Sequence, residues 1–122
     1  LPSKEKIEDI VKKYKNKNWL GIITACVSPG TYEAVVNDLQ KLDIPYGFKL
    51  NAFKKIPEGY TVASKDEWGN AGNPTTVLGK NTDLNESKFY EYVNKFMKNG
   101  ATILGGCCEI RPSHIKEISK LK

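Results

Sequence analysis

Three cysteines, Cys26, Cys107 and Cys108, are the residues of this 122-residue sequence whose types and spacing suit chemistry. Their odd count makes a poor disulfide framework, and the adjacent pair Cys107-Cys108 could bond only with strain. A reducing cytoplasm and a bound metal are the expectation. The plainer alternative is that Cys26 is a small buried hydrophobe and the other two have no special role. Three thiolates around a metal with a fourth position open form the pattern of a catalytic zinc site, since structural sites close all four positions with protein ligands. Zn2+ with three thiolates is net negative, and a further thiol entering the open position would lose its proton at neutral pH. That sulfur would be electron-rich enough to attack an electrophile, and Coulomb attraction would draw a cationic methyl donor towards it. Thiol methylation is the chemistry that such a constellation suits.

The elements that must bring these cysteines together are legible from hydrophobic spacing. Ser3 is placed to cap a helix with Ile7, Ile10, Val11 and Tyr14 on one face. Trp19 to Ala25 is a continuous apolar run, as expected of a strand buried on both faces in a parallel sheet. Pro29 after Ser28 opens a second helix with Tyr32, Val35, Val36, Leu39 and Leu42 inward, closed by Asp43-Ile44-Pro45. Tyr46 to Leu50 is a second strand. A Gly-, Pro-, Asn- and Lys-rich loop from Asn51 to about Asp83 follows, and a loop of that length inside a compact domain is usually functional. A third helix from about Asn85 to Asn99 carries Phe89, Tyr92, Val93 and Phe96, with Gly100 suited to its C-terminal cap. Ala101 to Leu104 is a third strand, and Pro112 begins a last helix carrying Ile115, Ile118 and Leu121.

This alternation predicts an α/β fold of parallel strands with flanking helices, as one domain over residues 1–122. Three parallel strands alone leave two open edges, whereas three consecutive units closing a (β/α)8 TIM-type barrel would read this way. Cys26 and the Cys107-Cys108 pair then fall at the carboxyl ends of strands, the functional edge of such folds. Adjacent residues of a regular strand point to opposite faces, so Gly105-Gly106 is expected to take positive φ and bend the backbone until both sulfurs face one point.

Composition narrows the alternatives. The net charge is +5, but Arg111 is the only arginine and the lysines are interspersed with Glu and Asp, which argues against a nucleic-acid partner. The run Lys12-Lys13-Tyr14-Lys15-Asn16-Lys17 reads as the solvated face of a helix. No apolar stretch is long enough to span a membrane. The chain begins Leu1-Pro2-Ser3-Lys4, without Met and without a signal-peptide core, and its natural beginning is expected elsewhere.

The segment Gly100-Ala101-Thr102-Ile103-Leu104-Gly105-Gly106-Cys107-Cys108-Glu109-Ile110-Arg111-Pro112-Ser113-His114-Ile115 closely resembles the terminal signature of the homocysteine S-methyltransferase family. Within it, the sequence looks like a subgroup with glutamate after the paired cysteines. Cys26-Val27-Ser28-Pro29 resembles the earlier metal-ligand motif, with Ala25 where the family usually has asparagine. Tyr46 to Phe53 resembles the strand between the two motifs, whose asparagine, here Asn51, faces the pocket in relatives. Thr82-Asp83-Leu84 before a helix also matches. The resemblance covers essentially the whole chain, but only the last part of a complete family domain. It implies a (β/α)8 barrel that binds zinc through Cys26, Cys107 and Cys108 and methylates homocysteine to methionine, a step of methionine biosynthesis. The donor would be S-methylmethionine, S-adenosylmethionine, betaine or a methylfolate. Groups that grip the amino and carboxylate ends of homocysteine come largely from earlier strands in relatives.

Asn51 and Glu109 are the substrate-pocket candidates here, and Glu109 reads equally well as a plain salt-bridge partner. His114, in a helical segment beyond the cysteines, reads as a cap or surface residue rather than a ligand. Trp68 is either a lid or a loop anchor. Two functional readings remain: part of an enzyme that is inactive alone, or a non-catalytic zinc-binding remnant or scaffold. In both, exposed strand edges favour self-association or pairing with the missing N-terminal barrel part.

Overall fold

The computed structural model describes residues 5–14, 17–57 and 74–121. Trp68, Ser3 and the middle of the long loop, residues 58–73, lie outside the described residues. The elements run α1 (Ile7–Lys13), β1 (Ile22–Val27), α2 (Pro29–Leu39), β2 (Tyr46–Leu50), α3 (Pro74–Leu78), α4 (Glu86–Lys98), β3 (Ile103–Gly106) and α5 (Pro112–Ile118), with a 3-10 turn at Ser119–Leu121.

Local chemistry sets the helix boundaries. The Ser28 hydroxyl accepts from the Thr31 amide at 3.1 Å, and Pro29 occupies the first turn of α2, where its missing N–H costs nothing. Asn85 caps α4 in the same way, accepting from the Lys88 amide at 2.9 Å. At its other end Gly100 takes φ 97° and donates to the Met97 carbonyl, the left-handed stop expected of a glycine after a helix. A side chain there would also strike the Tyr46 hydroxyl, since a Cβ would lie 2.5 Å from it. Helix α1 starts later than a Ser3 cap implies: its N-cap is Lys6, whose side chain makes no capping bond.

The sheet is parallel in the order β1-β2-β3. With right-handed crossovers, sequential parallel strands send their connecting helices to the same face. Burial agrees. Tyr46, Phe48 and Leu50 of β2 are buried in one cluster with Tyr32, Val36 and Leu39 of α2 and Phe89, Val93 and Phe96 of α4. At its centre the rings of Tyr32, Phe48 and Phe96 meet at centroid separations of 4.6–5.6 Å, tilted or edge to face, which adds to the area they bury. The opposite face, carrying Ile23 and Ala25 of β1 and Lys49 of β2, is exposed.

That bare face corrects one expectation. The apolar run in β1 is buried along one side only, and Ile23 is 43% exposed. The strand also begins at Ile22 rather than Trp19. Its partner β2 starts at Tyr46, just past Pro45, so Ile22, paired with Tyr46, is the first residue with a neighbour, and Leu20 is left 93% exposed. Cys26 therefore lies inside the strand rather than after it. The long loop also contains the short helix α3, and an antiparallel bridge between Phe53 and Lys80 closes it back on the end of β2.

Candidate metal centre

Cys26 is aimed by an irregularity in β1. The register runs from Ala25 opposite Lys49 to Val27 opposite Leu50, leaving Cys26 as the extra residue of a bulge with φ 55°. A side chain in left-handed backbone costs about 1–3 kcal/mol and persists only where neighbours hold it, and bulges recur where a side chain must be re-aimed. The neighbour is Asn51, which is fully buried. Its amide nitrogen donates to the Cys26 carbonyl at 2.6 Å and lies 3.7 Å from the Cys26 sulfur, while its oxygen accepts from the Phe53 amide at 3.2 Å. The Asn51 backbone N–H in turn donates to the Val27 carbonyl at 2.9 Å, clamping the residue after the bulge.

Cys107 and Cys108 are positioned by a turn just past β3, and not by the preceding glycines. Gly105 and Gly106 are regular strand residues paired with Lys49 and Leu50, and neither has positive φ. The reversal comes after them: the Ile110 amide donates to the Cys107 carbonyl at 3.1 Å, and Glu109 supplies the left-handed residue at φ 62°. Gly106 is still required, for space. A Cβ there would lie 2.3 Å from Cγ2 of Ile110, which the turn folds back over the strand. The Cys107 and Cys108 backbones are tied to the neighbouring strand, the first donating to Leu50 O at 2.7 Å and the second accepting from Ala52 N at 2.9 Å.

The three sulfurs lie within 4.8 Å of one another, with Cys26 to Cys108 at 3.6 Å and Cys107 to Cys108 at 3.9 Å. No disulfide joins them. Tetrahedral zinc with Zn–S bonds of about 2.3 Å requires sulfurs about 3.8 Å apart, so the two measured edges fit a zinc tetrahedron. Crowding splits the thiols electrostatically. Burial and hydrogen bonds to Cys26 and Cys107, with the charge these carry, push Cys108 up to about 12. Burial also opposes ionisation of Cys107, but hydrogen bonds from Cys26 and from the Cys108 amide and thiol, together with the Lys49 charge, outweigh it and hold Cys107 below the usual thiol range. The cluster thus keeps a proton on Cys108 that a divalent cation would displace.

The remaining candidates fall around this centre. Glu109 accepts from the Thr75 hydroxyl at 2.6 Å and from the Arg111 guanidinium at 3.0 Å, and these partners hold its carboxyl below the usual range against the cost of burial. It is engaged in the ion pair that was one of its two expected roles. His114 is a cap, as expected, but a buried one. Its Nδ1 accepts from the Arg111 amide at 3.1 Å, so its proton sits on Nε2, which faces the Leu84 carbonyl at 3.1 Å, and its ring meets Phe89 edge to face. The sequence offered no sign of the bulge at Cys26 or of Thr75 as a partner of Glu109, because both depend on segments distant along the chain. A cleft of about 450 Å³ is lined by Cys26 together with Thr31, Phe53, Lys54 and Lys55. No helix among the described residues is long and apolar enough to cross a membrane.

The family described as homocysteine S-methyltransferase matches residues 1–121. Homocysteine S-methyltransferase 2 of Arabidopsis thaliana is 28% identical over 95 residues, 78% of this chain and 24% of that protein. Selenocysteine methyltransferase of Astragalus bisulcatus is 37% identical over 43 residues, covering 35% of this chain and 13% of that protein. Selenocysteine Se-methyltransferase of Brassica oleracea var. italica is 42% identical over 41 residues, 34% of this chain and 12% of its own length. The chain spans about a quarter or less of the length of these relatives. No solved structure matches it. With a family match from end to end, and with its three cysteines brought together, the chain belongs to the homocysteine S-methyltransferase family.

Proposed function

We propose that this chain supplies the thiolate site of a zinc-dependent enzyme that transfers a methyl group from a small-molecule donor to the thiol of homocysteine, giving methionine. The observation that carries the reading is the convergence of Cys26, Cys107 and Cys108 within 4.8 Å of one another, with the two separations to Cys108 matching the edges of a zinc tetrahedron. Zinc held there would supply a fourth position at which the homocysteine thiol is deprotonated at neutral pH and kept nucleophilic.

The protein's own groups do the positioning. Asn51 holds the Cys26 bulge through the carbonyl and faces the sulfur with an N–H. The turn closed by Ile110 N and Cys107 O aims the other two thiols from β3. The strand order and one-sided helices support a reading as consecutive units of a (β/α)8 barrel, whose interior would be the bare face with Ile23, Ala25 and Lys49. In that reading the open edges at β1 and β3 pair with further barrel strands or with a second copy. A thiolate site of this kind implies a reducing compartment, and in this reading that is the cytoplasm.

The test has two parts. Elemental analysis of the purified chain is expected to give about one zinc per chain for the three-thiolate site, and markedly less for Cys107→Ser. The chain is then grafted in place of the matching segment of the Arabidopsis relative, and methionine formation from homocysteine is measured. A graft that turns over only with Cys107 present supports the proposal. A chain without zinc, or a Cys107→Ser graft as active as its parent, rules it out.

A further inference from the structure

Among the described strand residues, Lys49 is the only charged side chain. Because Phe48 and Leu50 point into the helix-covered core, Lys49 points to the bare face, where it is exposed. Its register partners there are Ala25 on one side and Gly105 on the other, so small residues flank it. The stem leans towards β3: a Cβ built on Gly105 would lie 3.7 Å from Lys49 Cγ, in ordinary contact. Cys107 follows Gly105 by two residues, about 6.6 Å along the strand direction and within the reach of a lysine. Yet no ion pair or hydrogen bond engages its ammonium among the described residues. The nearby carboxylate, Glu109, is already taken by Arg111 and Thr75.

An unpaired ammonium beside a site built for an incoming amino-acid thiol calls for an anion brought by the substrate. Homocysteine carries its carboxylate at the far end of a short aliphatic chain from its sulfur. With the sulfur at the open position of the thiolate cluster, the bare face is where that chain can lie. We infer that Lys49 is a positioning residue that pairs with the α-carboxylate of the thiol substrate from the bare face of β2. The inference rests on the thiol-methylation reading of the site. It assigns to this chain a carboxylate contact expected largely from other strands. Pairing would also neutralise a positive charge that would otherwise oppose a cationic methyl donor.

The experiment uses the chain loaded with cobalt(II), whose absorption reports thiol entry at the fourth position. Homocysteine is titrated against 3-aminopropanethiol, the same molecule without its carboxylate. Wild type is expected to prefer homocysteine by about tenfold, as for one charge-assisted pair. Lys49→Gln should erase that preference without changing the affinity for 3-aminopropanethiol or for cobalt, and Lys49→Arg should restore most of it. An unchanged preference in Lys49→Gln overturns the inference and leaves the thiol site standing. Loss of cobalt binding in Lys49→Gln also overturns it, making Lys49 a counter-charge for the cysteines. If neither thiol alters the wild-type spectrum, the thiol-methylation reading fails and this inference fails with it.

Discussion

Asn51→Ala tests whether one buried amide holds the metal site in shape. Asn51 is fully buried, and truncation removes a donor to the Cys26 carbonyl at 2.6 Å and an acceptor for the Phe53 amide at 3.2 Å. Each lost bond is worth about 1 kcal/mol net, and each buried group left without a partner adds about 1–3 kcal/mol unless water reaches it. A loss of about 2 kcal/mol in unfolding free energy follows where water reaches both groups, rising to about 4–8 kcal/mol where both stay dry, a large share of the total for a small domain. The strained Cys26 bulge, at φ 55°, would also lose the contact that holds it, and its sulfur would drift from the other two. Removing such an outer partner of a metal ligand lowers metal affinity by about 10–100-fold. Urea unfolding of the metal-free chain measures the first effect, and zinc competition with a chromophoric chelator the second. Asn51→Asp sharpens the test. It keeps an oxygen for Phe53 N–H but turns a second oxygen towards the Cys26 carbonyl and sulfur, so it should bind zinc no better than the alanine variant. If Asn51→Ala unfolds within about 0.5 kcal/mol of wild type and binds zinc equally well, the argument that Asn51 holds the bulge is wrong.

Three further outcomes follow from the same geometry. Gly106→Ala, whose Cβ would lie 2.3 Å from Ile110 Cγ2, should cost about 1–3 kcal/mol in urea unfolding. Gly105→Ala, meeting atoms only at 3.6 and 3.7 Å, should cost less, and equal losses would contradict the packing described at the turn. The Tyr32 hydroxyl is buried without a partner among the described residues, so Tyr32→Phe should be neutral or stabilising by about 1 kcal/mol. Burial, with a smaller contribution from Tyr46, raises the Tyr32 phenol to about 12, so its contribution is whole below the unfolded value near 10 and is lost as pH climbs from there. The phenylalanine variant should lack that part of the alkaline loss in a pH series of melts. Because Cys108 is pushed up to about 12, zinc must displace its proton, and apparent zinc affinity should rise about tenfold per pH unit for each proton released between pH 6 and 8. A pH-independent affinity would mean that Cys108 is not a ligand.

The sequence alone determined the alternation of helices and strands, the opening of α2 at Pro29, the stop at Gly100, and the identity of the three cysteines, while the capping bonds of Ser28 and Asn85 emerged from the structure. The sequence signals are local: a proline or glycine at a helix end acts within one turn, a hydrophobic stripe within one helix, and the Gly-Gly-Cys-Cys motif within four residues. What only the tertiary structure decided was how the sulfurs are aimed. Gly105-Gly106 look like the bend but lie flat in β3, because their φ is set by pairing with Lys49 and Leu50. The strain instead sits at Cys26 and Glu109, which have side chains and give no warning of left-handed backbone. The start of β1 was likewise chosen by its partner across Pro45, and not by where the apolar run begins. Asn51 and Cys26, 25 residues apart, meet only once β1 and β2 pair in register, and Lys49 stands on the bare face only because the helices cover the other side of the sheet. Local propensity can place a residue on an element. Its direction and partners come from contacts between segments that the chain keeps far apart.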